Sequence, residues 1–292
     1  SSPPSCSWSR GSWCSGWLPA LAWGVHDLLV RQVSRRLGTV TALSTVLALS
    51  VVLLLAALLI LPNAGFTISP EGVGLCVLSG LTFAVASFSL YRAFEIGPVR
   101  LVAPIIGAYP VISMAWASVF SVPAPLSDWL AVAVVIFGVA LVVVLSEKTP
   151  GAGDNDQSRA VIWALLAAIG FAFTFIIGQP AFNTGHPLAL NLVTRCVAFA
   201  VMSLVVLRSG GFHWPGRKFL PLLAVLAVLD VLALGLVLQA GGLAHPEYAS
   251  VAASTFGMVT IILAWAFLKE EIRPSQWGAA STVFAAIAYL GI

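Results

Sequence analysis

Long uncharged stretches dominate the chain, and their lengths match the thickness of a membrane. No charged side chain occurs within residues 37–70, 101–127 or 160–194. A helix that crosses a bilayer needs about 20 predominantly apolar residues, and each of these stretches is long enough for at least one such helix. The pattern therefore predicts an integral membrane protein built from helices.

Turn residues and charges at the ends of the apolar stretches predict where each helix begins and ends. The ten predicted helices are Trp17–Val33, Val40–Leu61, Gly72–Phe94, Val99–Phe120, Trp129–Leu145, Ala160–Ile177, Pro187–Leu207, Phe219–Leu243, Glu247–Leu268 and Ser275–Leu290. We therefore expect an all-α integral membrane protein of about ten transmembrane helices.

The second half of the chain repeats the first at a constant offset of 148 residues. At this offset Pro98 aligns with Pro246, and Trp129 aligns with Trp277. Chance alignment of two apolar sequences is the alternative explanation. Because five helices are an odd number, successive halves would cross the membrane in opposite orientations, as in inverted-repeat proteins. The prediction is two inverted five-helix repeats.

A polar linker separates the two predicted repeats. Residues 148–159 are too polar to bury and contain Gly and Pro, so we interpret them as a solvated connector. The first repeat then covers residues 17–147 and the second covers residues 160–292. Residues 1–16 are rich in Ser and Trp, and we interpret them as a disordered or interfacial tail, in which Cys6 and Cys14 could form a disulfide.

Composition supports the membrane assignment and excludes one class of partner. Of the 292 residues, 60% are hydrophobic and 9% are charged, whereas a soluble domain has about 25% charged residues. The net charge is only +3 and the basic residues are scattered, which argues against a nucleic-acid partner. We expect a multi-pass protein of the cell membrane, with the lipid bilayer as its main partner.

Two neighbouring ionisable residues occur inside the first predicted helix. Asp27 is nine residues before Arg36, so it lies roughly 13 Å from that end of the helix at 1.5 Å per residue. A carboxylate near mid-membrane usually faces a cavity and is typical of proton or cation binding. His26 lies beside it, and imidazole exchanges protons near neutral pH. The alternative is that Asp27 simply pairs with a neighbouring side chain.

A second pair of ionisable residues is predicted in the seventh and eighth helices. Arg195 is thirteen residues before Arg208, and Asp230 is twelve residues after Lys218. The two helices run antiparallel, so both side chains lie at nearly the same depth and should form an ion pair. The pair either fixes the packing of these helices or lines a cavity in which Arg195 holds an anionic group.

Two segments, one in each half, share a Pro-containing turn, a helix rich in small residues and a following apolar run. They are YRAFEIGPVRLVAPIIGAYPVISMAWASVF at residues 91–120 and HPEYASVAASTFGMVTIILAWAFLKEEIRPSQWGA at residues 245–279. These segments resemble the EamA family of the drug/metabolite transporter superfamily. Glu270 matches a family Glu, Trp23-Gly24 resembles the first helix of the family, and Arg195 matches an Arg that is frequent in the second helix of a half.

The resemblance implies ten helices, two repeats and transport of a small solute. The candidates for contact with the solute or a coupling ion are Trp23, His26, Asp27, Arg195 and Asp230. The first half departs from the family pattern, because Val122 occupies the position that corresponds to Glu270 and its second helix contains no Arg.

Signatures of catalysis are missing from the sequence. It contains no P-loop, no G-x-S-x-G and no H-E-x-x-H, and its four His residues are far apart. We therefore expect no enzymatic activity, no metal and no cofactor. The expected energy source is an ion gradient or the gradient of the solute itself.

The leading hypothesis is a secondary transporter or exporter of a small metabolite, with a cavity between the halves near mid-membrane. The alternative is a membrane-embedded binding or regulatory protein without transport.

Overall fold

The computed structural model describes residues 10–61, 65–120, 125–146, 155–239 and 253–289, and these form a helical bundle. Its helices are α1 Arg10–Leu37, α2 Thr39–Ile60, α3 Pro70–Ile96, α4 Val99–Gly107, α5 Tyr109–Phe120, α6 Leu126–Leu145, α7 Asp156–Ala181, α8 Pro187–Ser209, α9 Leu220–Gln239, α10 Phe256–Leu263 and α11 Pro274–Tyr289. A 3₁₀ turn at Phe182–Thr184 follows α7, and a π-helical turn at Ala264–Leu268 continues α10.

Most of the observed helix ends agree with the predicted ones to within a few residues. The first helix is the main exception, because α1 begins at Arg10 rather than Trp17. Residues 10–16 therefore extend this helix, although the sequence assigned them to the tail. The proposed disulfide involves Cys6, which lies outside the described residues. The same is true of Pro246 and of the predicted helix ends Leu243, Glu247 and Leu290.

The fourth predicted helix is divided into α4 and α5 at Ala108. The ring of Pro110 carries no N–H, so the backbone bond to the carbonyl four residues earlier cannot form. Just before this proline the helix tightens, and the Ala108 N–H donates to the carbonyl three residues earlier, that of Ile105, at 3.3 Å. The break places the start of α5 inside the bundle, and Tyr109 is fully buried there.

Ten helical spans account for the described part of the chain. Seven are long and apolar enough to cross a membrane, with α4 and α5 counted together as Val99–Phe120. The other three are α1, which has a basic last turn, the shorter apolar segment Phe256–Leu268, and α11. The all-α, ten-helix prediction is therefore confirmed.

Helix packing follows a twofold pattern that exchanges the two halves. The first helix of each half packs on the third helix of the other half, so α1 contacts α9 and α7 contacts α3. The second helices, α2 and α8, contact each other, and so do the fifth helices, α6 and α11. Likewise, α1 contacts α10 as α7 contacts α4 and α5. The pattern fits two repeats of opposite orientation, as the sequence predicted.

Two glycines allow α3 to lie very close to helices of the second half. A Cβ on Gly170 would lie 2.9 Å from the Cα of Ala86, and a Cβ on Gly80 would lie 2.8 Å from the Thr194 carbonyl. Backbone atoms cannot give way to an added methyl group, so these contacts require glycine. The close approach brings Tyr91 on α3 near the centre of the bundle.

Polar contacts join the helix ends at both ends of the bundle. Where α1 ends, Arg31 donates to the Phe94 carbonyl at 2.5 Å. Nearby, Glu270 accepts from the backbone N–H groups of Val99 and Arg100, at 3.0 and 3.2 Å, at the start of α4. Glu270 therefore caps a helix of the other half. At the opposite end, the His186 N–H donates to the carbonyl of residue 67 at 2.7 Å.

Candidate functional site

A small cavity with a volume of about 20 Å³ lies between the two halves. The first half contributes side chains of α1, α3 and α5, and the second half contributes side chains of α7, α9 and α10. The lining residues are Trp23, His26, Asp27, Ser87, Leu90, Tyr91, Tyr109, Phe171, Phe175, Asp230 and Phe256. Four of the five predicted site residues therefore line one cavity.

The fifth predicted residue, Arg195, lies directly behind the cavity wall and is 0% exposed. Its Nη1 donates to Asp230 Oδ2 at 2.5 Å, and its Nη2 donates to the Asp230 carbonyl at 3.0 Å. The guanidinium carbon also lies 4.3 Å from the centre of the Phe83 ring. A buried charge is stable only when it is paired and hydrogen-bonded, and these contacts meet that condition. The predicted contact between Arg195 and Asp230 is confirmed.

Asp230 connects this ion pair to the cavity through Trp23. The Trp23 indole N–H donates to Asp230 Oδ1 at 3.3 Å, so the carboxylate fixes the orientation of the indole ring. That ring packs against Phe175 and Phe256, each with a centroid separation of 5.9 Å. Arg195 therefore influences the cavity indirectly, by positioning Asp230 and Trp23.

Asp27 and His26 form the second polar group of the cavity. His26 Nδ1 lies 3.0 Å from Asp27 Oδ1, and both residues are buried. When Asp27 is ionised it can only accept, so Nδ1 then carries the proton and a neutral ring has a lone pair on Nε2. Asp27 Oδ2, His26 Nε2 and the Tyr91 hydroxyl have no hydrogen-bond partner among the described residues.

With Asp27 ionised, the balance of charge in the cavity is negative. The charge of Asp230 is compensated by Arg195, whereas Asp27 has only the imidazole of His26 beside it. With a neutral imidazole, one carboxylate charge is left over. Such a site favours a bound proton or a cation. In the part of the chain described, no three His, Cys, Asp or Glu side chains come together to hold a metal ion.

Aromatic rings form most of the remaining wall. Tyr109 packs on Phe175 at a centroid distance of 5.1 Å, and Tyr91 meets the His26 ring edge to face at 6.2 Å. Phe171 and Phe175 are four residues apart on α7, so they share one helix face. The resulting pocket combines apolar walls with a few polar groups, as small-molecule sites usually do.

Sequence reasoning missed these aromatic residues. Tyr91 was not among the predicted site residues, although it is only 2% exposed and lines the cavity. The helix α3 extends to Ile96, two residues beyond the predicted end at Phe94, and Tyr91 lies inside the bundle. The spacing of Phe171 and Phe175 was a usable signal, although it does not reveal which face of a membrane helix points inward.

Comparison with known proteins gives one family and one fold. A model of the EamA-like transporter family matches residues 13–144 and again residues 158–292, so each half is matched separately. The comparison with curated proteins gives no match. Among 28 matching chains of solved structures, one titled "Crystal structure of protein" has a TM-score of 0.72 at 13% identity, with 96% of both chains covered. At this identity the similarity shows the fold alone.

Proposed function

The chain belongs to the EamA-like transporter family, and from this premise we propose that it is a secondary transporter of a small metabolite. Family membership makes it a multi-pass membrane transporter of the drug/metabolite transporter superfamily. The finer proposal is that the solute crosses the cell membrane through the central cavity by alternating access. An ion gradient or the gradient of the solute provides the energy.

The observation that carries this proposal is the composition of the cavity wall. Both halves contribute to it, and the wall contains a buried carboxylate, Asp27, with one oxygen unpartnered among the described residues. In inverted-repeat transporters the binding site lies near the bilayer midplane between the repeats. Movement of one half against the other would expose such a site first to one side and then to the other.

Alternating access also requires contacts between the halves that can separate. At one end, Glu270 of the second half binds the start of α4 in the first half. At the other end, the loop before α3 is hydrogen-bonded to the segment before α8 through Ser69 and His186. Each connection consists of a few hydrogen bonds, so water can replace these bonds when the cavity opens on that side.

Within this scheme Asp27 is the coupling residue, to which a proton and the solute bind in turn. His26 lies beside it, and Tyr91 and Asp230 line the same cavity, with Asp230 paired to Arg195. Arg195 neutralises the charge of Asp230, so protonation of Asp27 changes the net charge of the cavity from negative to neutral. A driving pH gradient would therefore act on the affinity for the solute.

The test begins with the identification of a solute. A screen of small metabolites for thermal stabilisation of the purified protein suits this step, since a ligand at 100 times its Kd stabilises the folded state by about 2.7 kcal/mol. Uptake of the stabilising compound is then measured in proteoliposomes that contain the protein, with and without an imposed pH gradient. We expect accumulation against the concentration gradient only when the pH gradient is present.

The Asp27→Asn variant tests the coupling role. The amide keeps the shape of the side chain but cannot release a proton, so accumulation should be lost while exchange of internal for external solute continues at saturating solute concentration. Asp128→Asn, the same change at the start of α6 and far from the cavity, is the matched control and should behave like the parent. If Asp27→Asn still concentrates the solute as well as the parent, Asp27 is not the coupling residue. If a stabilising ligand is found but never crosses the membrane, a binding or regulatory function replaces transport.

A further inference from the structure

Three buried polar atoms without partners among the described residues belong to side chains that line the cavity. They are Asp27 Oδ2, His26 Nε2 and the hydroxyl oxygen of Tyr91. A buried polar group without a hydrogen bond is costly, and three of them in one cavity indicate a polar ligand. The chemistry of these atoms therefore describes the ligand.

All three atoms can accept a hydrogen bond. An ionised Asp27 can only accept, and neutral His26 accepts at Nε2 because its Nδ1 proton points to Asp27. The Tyr91 hydroxyl either accepts or donates. A primary ammonium group has three N–H donors, so it can satisfy all three atoms at once. A quaternary ammonium group has none.

The charge of the cavity favours the same ligand and disfavours an amino acid. Asp27 carries the uncompensated negative charge, and an ammonium group would neutralise it. A carboxylate on the solute would instead approach Asp27 and Asp230. Among the described residues at the cavity, the only cationic side chain near Asp230 is Arg195, which is already engaged by Asp230.

The walls determine the remainder of the ligand. Trp23, Tyr109, Phe171, Phe175 and Phe256 offer aromatic faces and edges. The Trp23 N–H is already donated to Asp230, so this ring presents mainly apolar surface. Aromatic faces stabilise both a nearby cation and an apolar body.

We propose that the cavity, once it widens during the transport cycle, binds small primary amines with an apolar or aromatic body, in preference to quaternary ammonium compounds and amino acids. This inference rests on the proposed function, since the amine would be the transported solute. It deepens that function by naming the class of the solute.

Phenethylamine is a suitable probe, because two close analogues each change one feature. Phenylalanine adds a carboxylate, and trimethylphenethylammonium keeps the charge but has no N–H donors. Binding to the purified full-length protein is measured with labelled phenethylamine, and the analogues serve as competitors. We expect saturable binding of phenethylamine, and at least about 10-fold weaker competition by either analogue, the factor expected for hydrogen bonds to charged groups.

Two variants connect the binding to the three acceptor atoms. Asp27→Asn removes the charge and should weaken binding by about 10- to 100-fold. Tyr91→Phe removes only the hydroxyl and should weaken it by about 3- to 10-fold, which keeps the test valid if the first variant folds poorly. Asp128→Asn should bind like the parent, because its side chain lies at the start of α6 outside the cavity.

The outcomes separate this inference from the proposed function. Absence of saturable phenethylamine binding, or equal binding of phenylalanine, overturns the assignment to amines. Equal binding of trimethylphenethylammonium overturns the role of the three acceptors, since cation–π contact alone would then explain affinity. If the protein transports a neutral or anionic solute and does not bind the amine, the assignment to amines fails but the transport proposal stands. If it binds the amine but moves no solute, only the transport proposal fails.

Discussion

Replacement of the Arg195–Asp230 pair by apolar side chains should reveal a strong coupling between the two residues. Arg195→Met leaves the buried Asp230 carboxylate with only the Trp23 N–H as a described partner. Asp230→Leu leaves a fully buried guanidinium beside the Phe83 ring and a backbone carbonyl. In each single variant, one charge stays in an apolar interior without its counter-ion.

The expected magnitudes follow from these contacts. Removal of one partner of a buried ion pair costs about 3–5 kcal/mol, so additive behaviour would predict a loss of about 6–10 kcal/mol for the double variant. Replacement of the whole pair by apolar groups is often close to neutral. The remaining cost is the unpaired indole N–H of Trp23, about 1–3 kcal/mol. The coupling energy should therefore be at least about 3 kcal/mol.

Thermal denaturation of the purified protein in detergent provides the assay. The melting temperature of a protein of this size falls by about 2–4 °C per kcal/mol, so each single variant should lose roughly 10 °C, and the double variant less than either. Arg208→Met is the matched control, since it makes the same change on the same helix at an exposed position. Its effect should be small.

Two results would refute this reasoning. The first is a double variant whose loss equals the sum of the single losses. The second is an Arg195→Met variant that is as stable as Arg208→Met, which would mean that the buried carboxylate needs no cation. A folded double variant also separates stability from function: it should still transport poorly, because Asp230 no longer orients Trp23 in the cavity.

The remaining predictions concern helix contacts. Gly170→Ala should lower stability by about 1–3 kcal/mol, because the new methyl group meets the backbone of Ala86. The matched change Gly278→Ala has open space and should be neutral or stabilise by up to about 1 kcal/mol; thermal denaturation of both variants checks this. Glu270→Gln should cost about 0.5–2 kcal/mol, since the capping charge at the start of α4 is lost. The exposed neighbour change Glu271→Gln should leave the melting temperature unchanged; equal losses in both variants would exclude a specific cap.

Much of the architecture was predictable because it depends on local sequence. The length of an apolar stretch determines whether it can cross a bilayer, and no knowledge of its neighbours is needed. Helix depth is also local, which is why counting residues from Arg208 and Lys218 placed Arg195 and Asp230 at the same level. The break at Ala108 is explained by Pro110, although the fourth helix was predicted as the unbroken span Val99–Phe120.

The lining of the cavity was predictable only in part. Ionisable residues stand out in an apolar helix, so the sequence analysis identified both Asp27 and Asp230 as candidate site residues. The aromatic wall was not found, because a membrane helix is apolar on its lipid face as well as on its inner face. Periodicity then gives no sign of which Phe or Tyr points inward.

The sequence by itself therefore determined the class, the number of spans, the repeat and the charged pair. Only the tertiary structure decided that α1, α3 and α5 share a cavity with α7, α9 and α10. It also decided that Arg195 forms an ion pair with Asp230, whereas one carboxylate oxygen of Asp27 has no hydrogen-bond partner among the described residues. The physical reason is that hydrogen-bond satisfaction depends on atoms brought together from distant parts of the chain, and no local pattern contains that information.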